Sequence, residues 1–218
     1  MSRLLSRSVV LLTSLFAASV NAGTLGLLEG RSAQPDQTGQ TSVEVGYLSE
    51  GDFSTIAGRV SYQLSPPVTL YGDFGLIDLG DADGSAFGLG VRYHLAKQRL
   101  LPMLDASVRA SYHTGSADFN AFGGNTDTDL AELSFAVHVG SKEAFLDNGM
   151  KWYGVLSYNR TTSEVSTAVV SIDSTDADLG LGGGVYMPFG PGEVYVGVEN
   201  INELFFGLGY RHFIGRNR

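Results

Sequence analysis

The chain has 218 residues, no cysteine and a net charge of −9. The lack of cysteine excludes disulfide bridges and thiolate metal sites, and the acidic balance argues against a nucleic-acid partner. Residues 1–22 have the features of a secretory signal peptide: Arg3 and Arg7 precede an apolar core, and Val20-Asn-Ala22 is a small-residue cleavage site. That core is shorter than the ~20 residues that a spanning helix needs. The sequence therefore predicts export and a mature chain that begins at Gly23.

Beyond a lead-in over residues 23–40, apolar and polar residues alternate along most of the chain. In the first such segment Val43 and Tyr47 lie on one face, and Ser42 and Glu44 lie on the other. Alternation with a period of two predicts β-strands whose two faces meet different surroundings. The predicted strands cover about 41–48, 55–64, 68–77, 87–95, 103–113, 131–139, 151–160, 179–187, 194–199 and 204–214.

The connections between these strands differ systematically in length. Connections after even-numbered strands are short or moderate, whereas those after odd-numbered strands run from tight to long. The latter cover residues 49–52, 78–85, 114–128, 161–175 and 200–202. Long loops on one side and compact turns on the other are typical of outer-membrane barrels. We therefore predict an all-β fold: one antiparallel up-and-down transmembrane barrel over residues 41–214, with about ten strands, eight as the alternative, and a tail at 215–218.

Strand alternation alone allows two arrangements of the faces. A soluble lipocalin-like barrel would place the apolar face inside, and a membrane barrel would place it in lipid. Aromatic residues near the strand ends favour the membrane barrel, because aromatic girdles mark the two membrane interfaces. The predicted girdle on the long-loop side comprises Tyr47, Phe74, Phe87, Tyr112, Tyr158 and Phe206, and the other comprises Tyr62, Tyr93 and Trp152.

The polar face is rich in glycine, alanine and serine, as a crowded interior requires. It also carries charges of both signs, and buried charges must be paired. We therefore predict a charge network that plugs the lumen. Its members are Glu44, Arg59, Asp73, Arg92, Asp105, Arg109, Glu132 and Arg211.

Together these features resemble the small outer-membrane β-barrel proteins of Gram-negative bacteria, the OmpA- and OmpX-like group. The aromatic-rich end from Gly207 to Phe213 is similar to the C-terminal signal by which such barrels are recognised for insertion, although Ile214 to Arg218 follow it here. The resemblance implies an outer-membrane location, contact with membrane lipid and lipopolysaccharide, and recognition by the barrel-assembly machinery through residues 207–213. It also implies a monomer, and the sequence points to no cofactor.

Several functions remain open on the sequence alone. We favour a structural or surface-interaction role, with acidic external loops and a plugged lumen. The alternatives are a narrow porin for small solutes, an enzyme that modifies outer-leaflet lipid, and a soluble periplasmic lipocalin-like binding barrel. His113, Ser116 and Asp118 are the residue types of a hydrolase, but the chain has no G-x-S-x-G motif, so no catalytic residue is predicted. Acidic stretches at 81–84 and 173–178 form no complete calcium loop, so no metal site is predicted.

Overall fold

The computed structural model describes residues 27, 40–51, 53–78, 82–95, 103–121, 124–166 and 171–215. The predicted signal peptide, most of the lead-in and residues 216–218 lie outside these ranges. The described residues form ten antiparallel strands in one closed barrel, in which β1 pairs with β10. The strands are β1 (Thr41–Glu50), β2 (Phe53–Ser65), β3 (Val68–Asp78), β4 (Ala82–His94), β5 (Leu104–Ala121), β6 (Gly124–Ser141), β7 (Lys151–Ser166), β8 (Ser171–Phe189), β9 (Gly192–Asn200) and β10 (Leu204–Ile214). The predicted fold class is confirmed, and the eight-strand alternative is wrong.

The strand registers determine the shape of the barrel. Direct cross-strand partners can be followed once around the barrel, from Asp176 on β8 through β7 to β1 and then through β10 and β9. This path returns to β8 at Pro188, so the strands are staggered by 12 residues between positions 176 and 188 over one full circuit. With strands about 4.8 Å apart and about 3.3 Å per residue, this stagger corresponds to a tilt of about 40° and a radius of about 10 Å. Each residue along a strand then rises about 2.5 Å along the barrel axis, and each step to the next strand changes the height by about 3 Å.

Of the residues that alternate along the strands, the apolar ones point outwards and the polar ones point into the lumen. Val43 and Val45 are 42% and 55% exposed, whereas Ser42 and Glu44, which alternate with them, are each 2% exposed. On β2 the exposed apolar run extends from Ile56 to Leu64, a rise of about 20 Å, close to the ~25 Å band of outer-membrane barrels. The lipocalin-like alternative is wrong, because it needs these side chains inside.

Two segments that we predicted to be long loops are mostly extensions of strands. Residues 114–128 belong largely to β5 and β6, and residues 161–175 belong largely to β7 and β8. Alternation continues there with β-branched and small residues, and Ala117 and Val165 still point inwards and are buried. The hairpins β5–β6 and β7–β8 therefore continue the barrel wall beyond the apolar band. Within the described ranges, no helix is long and apolar enough to cross a membrane.

Candidate functional site

A row of charged side chains spirals around the lumen because their positions are direct partners on neighbouring strands. The row consists of Glu193, Arg211, Glu44, Arg59, Asp73, Gly88, His113 and Glu132, and Gly88 is its one position without a side chain. The sign of the charge alternates over the first five members, and cross-strand pairs of opposite charge stabilise a sheet. The row rises by about 3 Å at each strand because the strands are tilted.

The strongest contact in this row joins Arg59 to Asp73. The Arg59 Nε and Nη2 atoms donate hydrogen bonds to Asp73 Oδ1 and Oδ2 over 2.6 and 2.7 Å. The guanidinium also stacks over the Tyr71 ring, 4.4 Å from its centroid. All three residues are at most 5% exposed. A two-point pair of this kind is stronger than a single hydrogen bond and also fixes the orientation of both side chains.

His113 extends this pair across strand β4. Its Nε2 lies 3.0 Å from Asp73 Oδ2, and its Nδ1 lies 3.8 Å from Glu132 Oε1. The strand between His113 and Asp73 carries Gly88 at this position, and a Cβ there would overlap the imidazole. The absence of a side chain at Gly88 is therefore what allows His113 to reach the carboxylate two strands away.

We expect Gly88→Ala to lower the free energy of unfolding by about 1–3 kcal/mol, because the new methyl group displaces an imidazole that is held on both sides. Urea unfolding of the folded barrel in detergent measures this. Gly154→Ala is the matched control, since a Cβ there comes no closer than 3.6 Å to another atom. Equal stability of the two variants would contradict a fixed position for His113.

Arg211 continues the row on the other side of Glu44. Its Nε donates to Glu44 Oε2 over 3.3 Å, and its Nη1 donates to Glu193 Oε2 over 3.2 Å. Glu193 was not among the predicted network residues. It lies on the inward face of β9, directly opposite Arg211, and the alternation of β9 was the signal that could have identified it.

A second network connects Arg109 to Glu199 through neutral side chains. Arg109 Nη2 donates to Ser134 Oγ over 2.8 Å, and Ser134 donates to Asn159 Oδ1 over 2.6 Å. Asn159 Nδ2 and Ser157 Oγ complete the path, with 3.0 Å contacts from Asn159 to Ser157 and from Ser157 to Glu199 Oε1. Glu199 lies one residue before the end of β9. In the structure it is 7% exposed and points into the lumen.

Two predicted network residues differ from the rest in their surroundings. Arg92 is 1% exposed and lies directly opposite Arg109 on the neighbouring strand. Asp105 lies at the turn-side end of the barrel, where its carboxylate is 3.6 Å from Lys142 Nζ and the two side chains are 20% and 36% exposed. Asp105 therefore belongs to the mouth of the barrel rather than to its buried interior.

Aromatic rings cover the glycines of the lumen wall. The Tyr71 ring lies over Gly90, the Tyr153 hydroxyl lies over Gly197, and the Tyr195 hydroxyl lies over Gly209. These tyrosines are each 5% exposed, so they fill the space that the glycines leave.

The turn-side end of the lumen is also filled by polar side chains. Thr69 Oγ1 donates to Gln63 Oε1 over 2.6 Å and lies 2.9 Å from His94 Nε2. These residues are at most 3% exposed. Hydrogen-bonded polar side chains therefore also occupy this end of the lumen.

The predicted girdle residues occupy two narrow levels on the outer surface. All nine side chains are exposed. With the tilt and stagger given above, the long-loop set lies about 8–12 Å above the level of Glu44, and the other set lies about 4 Å below it. Their role at the two membrane interfaces stays a prediction.

Above the apolar band, the outer face of the barrel is acidic. One row of direct cross-strand partners runs through Asp78, Asp83, Asp118 and Asp127 on β3 to β6. A second row runs through Asp129, Glu164 and Asp173 on β6 to β8. All seven side chains are exposed. Like charges that face each other directly destabilise a sheet, so counter-ions would stabilise these hairpins.

The residues considered for a hydrolase do not come together. His113 points into the lumen and is 3% exposed, whereas Ser116 and Asp118 are exposed on the outer face of the same strand. Separations of three and five residues place side chains on opposite faces of a strand. Over the described ranges, no group of three or more histidine, aspartate or glutamate residues is placed to hold a metal ion.

No protein-family model and no curated protein matches the chain. Solved structures to which it is similar include the N-terminal β-barrel domain of OprF from Pseudomonas aeruginosa, with 11% identity and a TM-score of 0.42 over 82% of this chain and 100% of that chain. Ail, the attachment invasion locus protein of Yersinia pestis, shows 15% identity and a TM-score of 0.43 over 82% and 100%. The outer membrane protease OmpT from Escherichia coli shows 9% identity and a TM-score of 0.45 over 80% and 90%. At these TM-scores the matches carry no argument about function, which depends on the residues of this chain.

Proposed function

We propose that this chain is an outer-membrane β-barrel protein of a Gram-negative bacterium, with a closed lumen and a structural or surface-interaction role. The observation that carries the proposal is the reversal of the faces: an apolar band covers the outer surface of the barrel, and the charged side chains of the row from Glu193 to Glu132 point into the lumen behind it. Soluble proteins seldom expose contiguous apolar patches above a few hundred Å². A closed barrel also satisfies its own backbone hydrogen bonds in lipid.

The lumen supports a closed barrel rather than a porin. Asp73 is hydrogen-bonded to Arg59 and His113, Arg211 is hydrogen-bonded to Glu44, and all five residues are at most 3% exposed. Water that crossed the barrel at this level would have to separate these pairs. Separating a buried ion pair is costly because it leaves uncompensated charge.

The hairpins β5–β6 and β7–β8 are the parts of the barrel best placed for surface interactions. They extend beyond the apolar band and carry most of the exposed acidic rows. Facing the cell exterior, they would attract divalent cations, which lie among the phosphates of lipopolysaccharide. We propose lipopolysaccharide as the neighbour of this surface.

Insertion would depend on the segment from Gly207 to Phe213. This segment lies on β10, and its partners in the closed barrel are residues of β1 and β9. An unpaired strand edge offers free backbone groups to another protein. We therefore propose that the barrel-assembly machinery binds this segment before the β1–β10 seam closes, after which the protein is a monomer.

The test of this proposal is gel mobility of the detergent-refolded protein with and without heating. We expect a heat-modifiable band and a protease-resistant core, because a closed barrel resists unfolding by detergent alone. A protein that is soluble without detergent would overturn the membrane assignment.

Planar-bilayer recordings then distinguish a closed barrel from a narrow porin. We expect no steady conductance from the unmodified protein, because buried and paired charged side chains fill the lumen along the row from Glu193 to Glu132. Steady, reproducible single-channel steps would overturn the closed-lumen part of the proposal and favour the porin.

A further inference from the structure

Leu27 lies inside the barrel although it precedes the first strand. Among the residues before Gln40, the structure describes Leu27, which is 5% exposed. Its Cδ2 atom is 2.7 Å from the position that a Cβ on Gly46 would occupy. Gly46 is buried on β1, two residues beyond Glu44 on the inward face. Leu27 therefore packs on the bare backbone of the lumen wall.

A hollow in the wall creates the space for this side chain. Gly46 lies directly opposite Gly209 on β10, so neither strand carries an inward side chain at this point. The Tyr195 hydroxyl lies over Gly209 and is also 2.7 Å from the Gly46 Cβ position. Tyr195 thus fills one part of the hollow and Leu27 fills the other. A branched aliphatic side chain fits there because the hollow is lined by backbone and an aromatic ring.

The chain can reach this position from the turn-side end of the barrel. Gln40 is 8% exposed, and its carbonyl oxygen accepts a hydrogen bond from Gln63 N over 3.0 Å. Gly46 lies six residues further along the strand direction, about 15 Å higher on the barrel axis. The numbers 27 and 40 differ by 13, and that many residues can span up to ~40 Å. The chain before β1 is therefore long enough to turn back into the barrel.

We propose that Leu27 anchors the start of the mature chain inside the lumen, so that the protein carries part of its own plug. Cleavage after Ala22 would make Leu27 the fifth residue of the mature protein. The site rests on the proposed function and deepens it, because it adds an aliphatic anchor to the row of buried charged side chains that closes the barrel. It assigns Gly46, Gly209 and Tyr195 to one role, which is to bind this side chain.

The test uses a cysteine at position 27, since the natural chain has no cysteine. Leu27→Cys in the folded, heat-modifiable barrel is treated with a maleimide-polyethylene glycol reagent in detergent. We expect labelling to be at least ~10-fold slower than at an exposed turn residue, because a buried thiol reacts only after local opening. Glu143→Cys is the matched control, since Glu143 is exposed on the turn side. Equal labelling rates would overturn the anchor while leaving the heat-modifiable band, and so the membrane proposal, intact.

A second variant tests whether Gly46 forms the binding hollow. Gly46→Val in the Leu27→Cys background fills the hollow, and we expect it to raise the labelling rate at position 27 toward that of Glu143→Cys. Gly58→Val is the control, because a Cβ at Gly58 comes no closer than 3.6 Å to another atom and should leave the rate unchanged. Continued protection of the thiol at position 27 in a heat-modifiable Gly46→Val barrel would contradict the assignment of the hollow.

Discussion

Replacing Val91 by arginine is expected to lower the free energy of unfolding of the lipid-inserted barrel by about 2–4 kcal/mol. Val91 is 40% exposed at the centre of the outward apolar run of β4, and its cross-strand partners are Leu70 and Ala110. A guanidinium at this depth would lose its hydration without gaining a partner. Urea unfolding in lipid vesicles measures the change.

Ser85→Arg is the matched control for this experiment. Ser85 is exposed on the same face of the same strand, above the apolar band, where an added charge costs about 0–1 kcal/mol. In a soluble barrel the exposed face meets water at both positions, so the two variants would have similar stability. Equal effects would therefore contradict the proposed membrane placement.

Removing one partner of the buried Arg59–Asp73 ion pair is expected to lower the free energy of unfolding by a similar amount, for a different reason. Arg59→Ala should lower the free energy of unfolding by about 3–5 kcal/mol, because it leaves the Asp73 carboxylate buried without its two strongest hydrogen bonds. The double variant Arg59→Met with Asp73→Leu should recover most of that loss, since it removes both charges and keeps the volume.

Lys142→Ala provides the comparison with an exposed pair. The Lys142–Asp105 contact is 3.6 Å long and partly solvated, and such pairs contribute about 0–1 kcal/mol. If Arg59→Ala had an effect as small as that of Lys142→Ala, water would have to reach Asp73, and the closed-lumen proposal would fail. Conductance of the Arg59→Ala barrel in a planar bilayer is a second measurement of whether water reaches Asp73.

Much of the fold was predictable from the sequence because strand alternation is a local property. The side of the sheet on which a residue lies depends only on its parity within the strand, and this placed Glu44, Arg59, Asp73 and Arg211 on one face. His113 and Ser116 are three positions apart and therefore lie on opposite faces of the strand. The sequence alone is thus sufficient to reject His113, Ser116 and Asp118 as a hydrolase site. The polar composition of residues 114–128 is typical of a loop, whereas the alternation that continues through Thr128 and Leu130 indicates the strand extensions that the structure shows.

The contacts within the lumen were not predictable from the sequence, because they depend on register and tilt. Nothing local to His113 indicates that it lies opposite Gly88 and reaches Asp73 two strands away. The path from Arg109 to Glu199 likewise joins strands that are distant in sequence. These contacts exist because the strand registers, which add up to a stagger of 12 residues between positions 176 and 188, place particular residues opposite each other on neighbouring strands.

By itself the sequence indicated about ten strands, and it determined the division of residues between two faces and the mixed charges of the polar face. Its aromatic positions favoured an outward apolar face over an inward one, and the tertiary structure decided between the two arrangements by turning the apolar residues outwards. The physical reason is that closure of a ten-stranded sheet gives a lumen of limited radius. Small, polar and paired charged side chains fill that volume, and Leu27 enters the space that two opposed glycines leave.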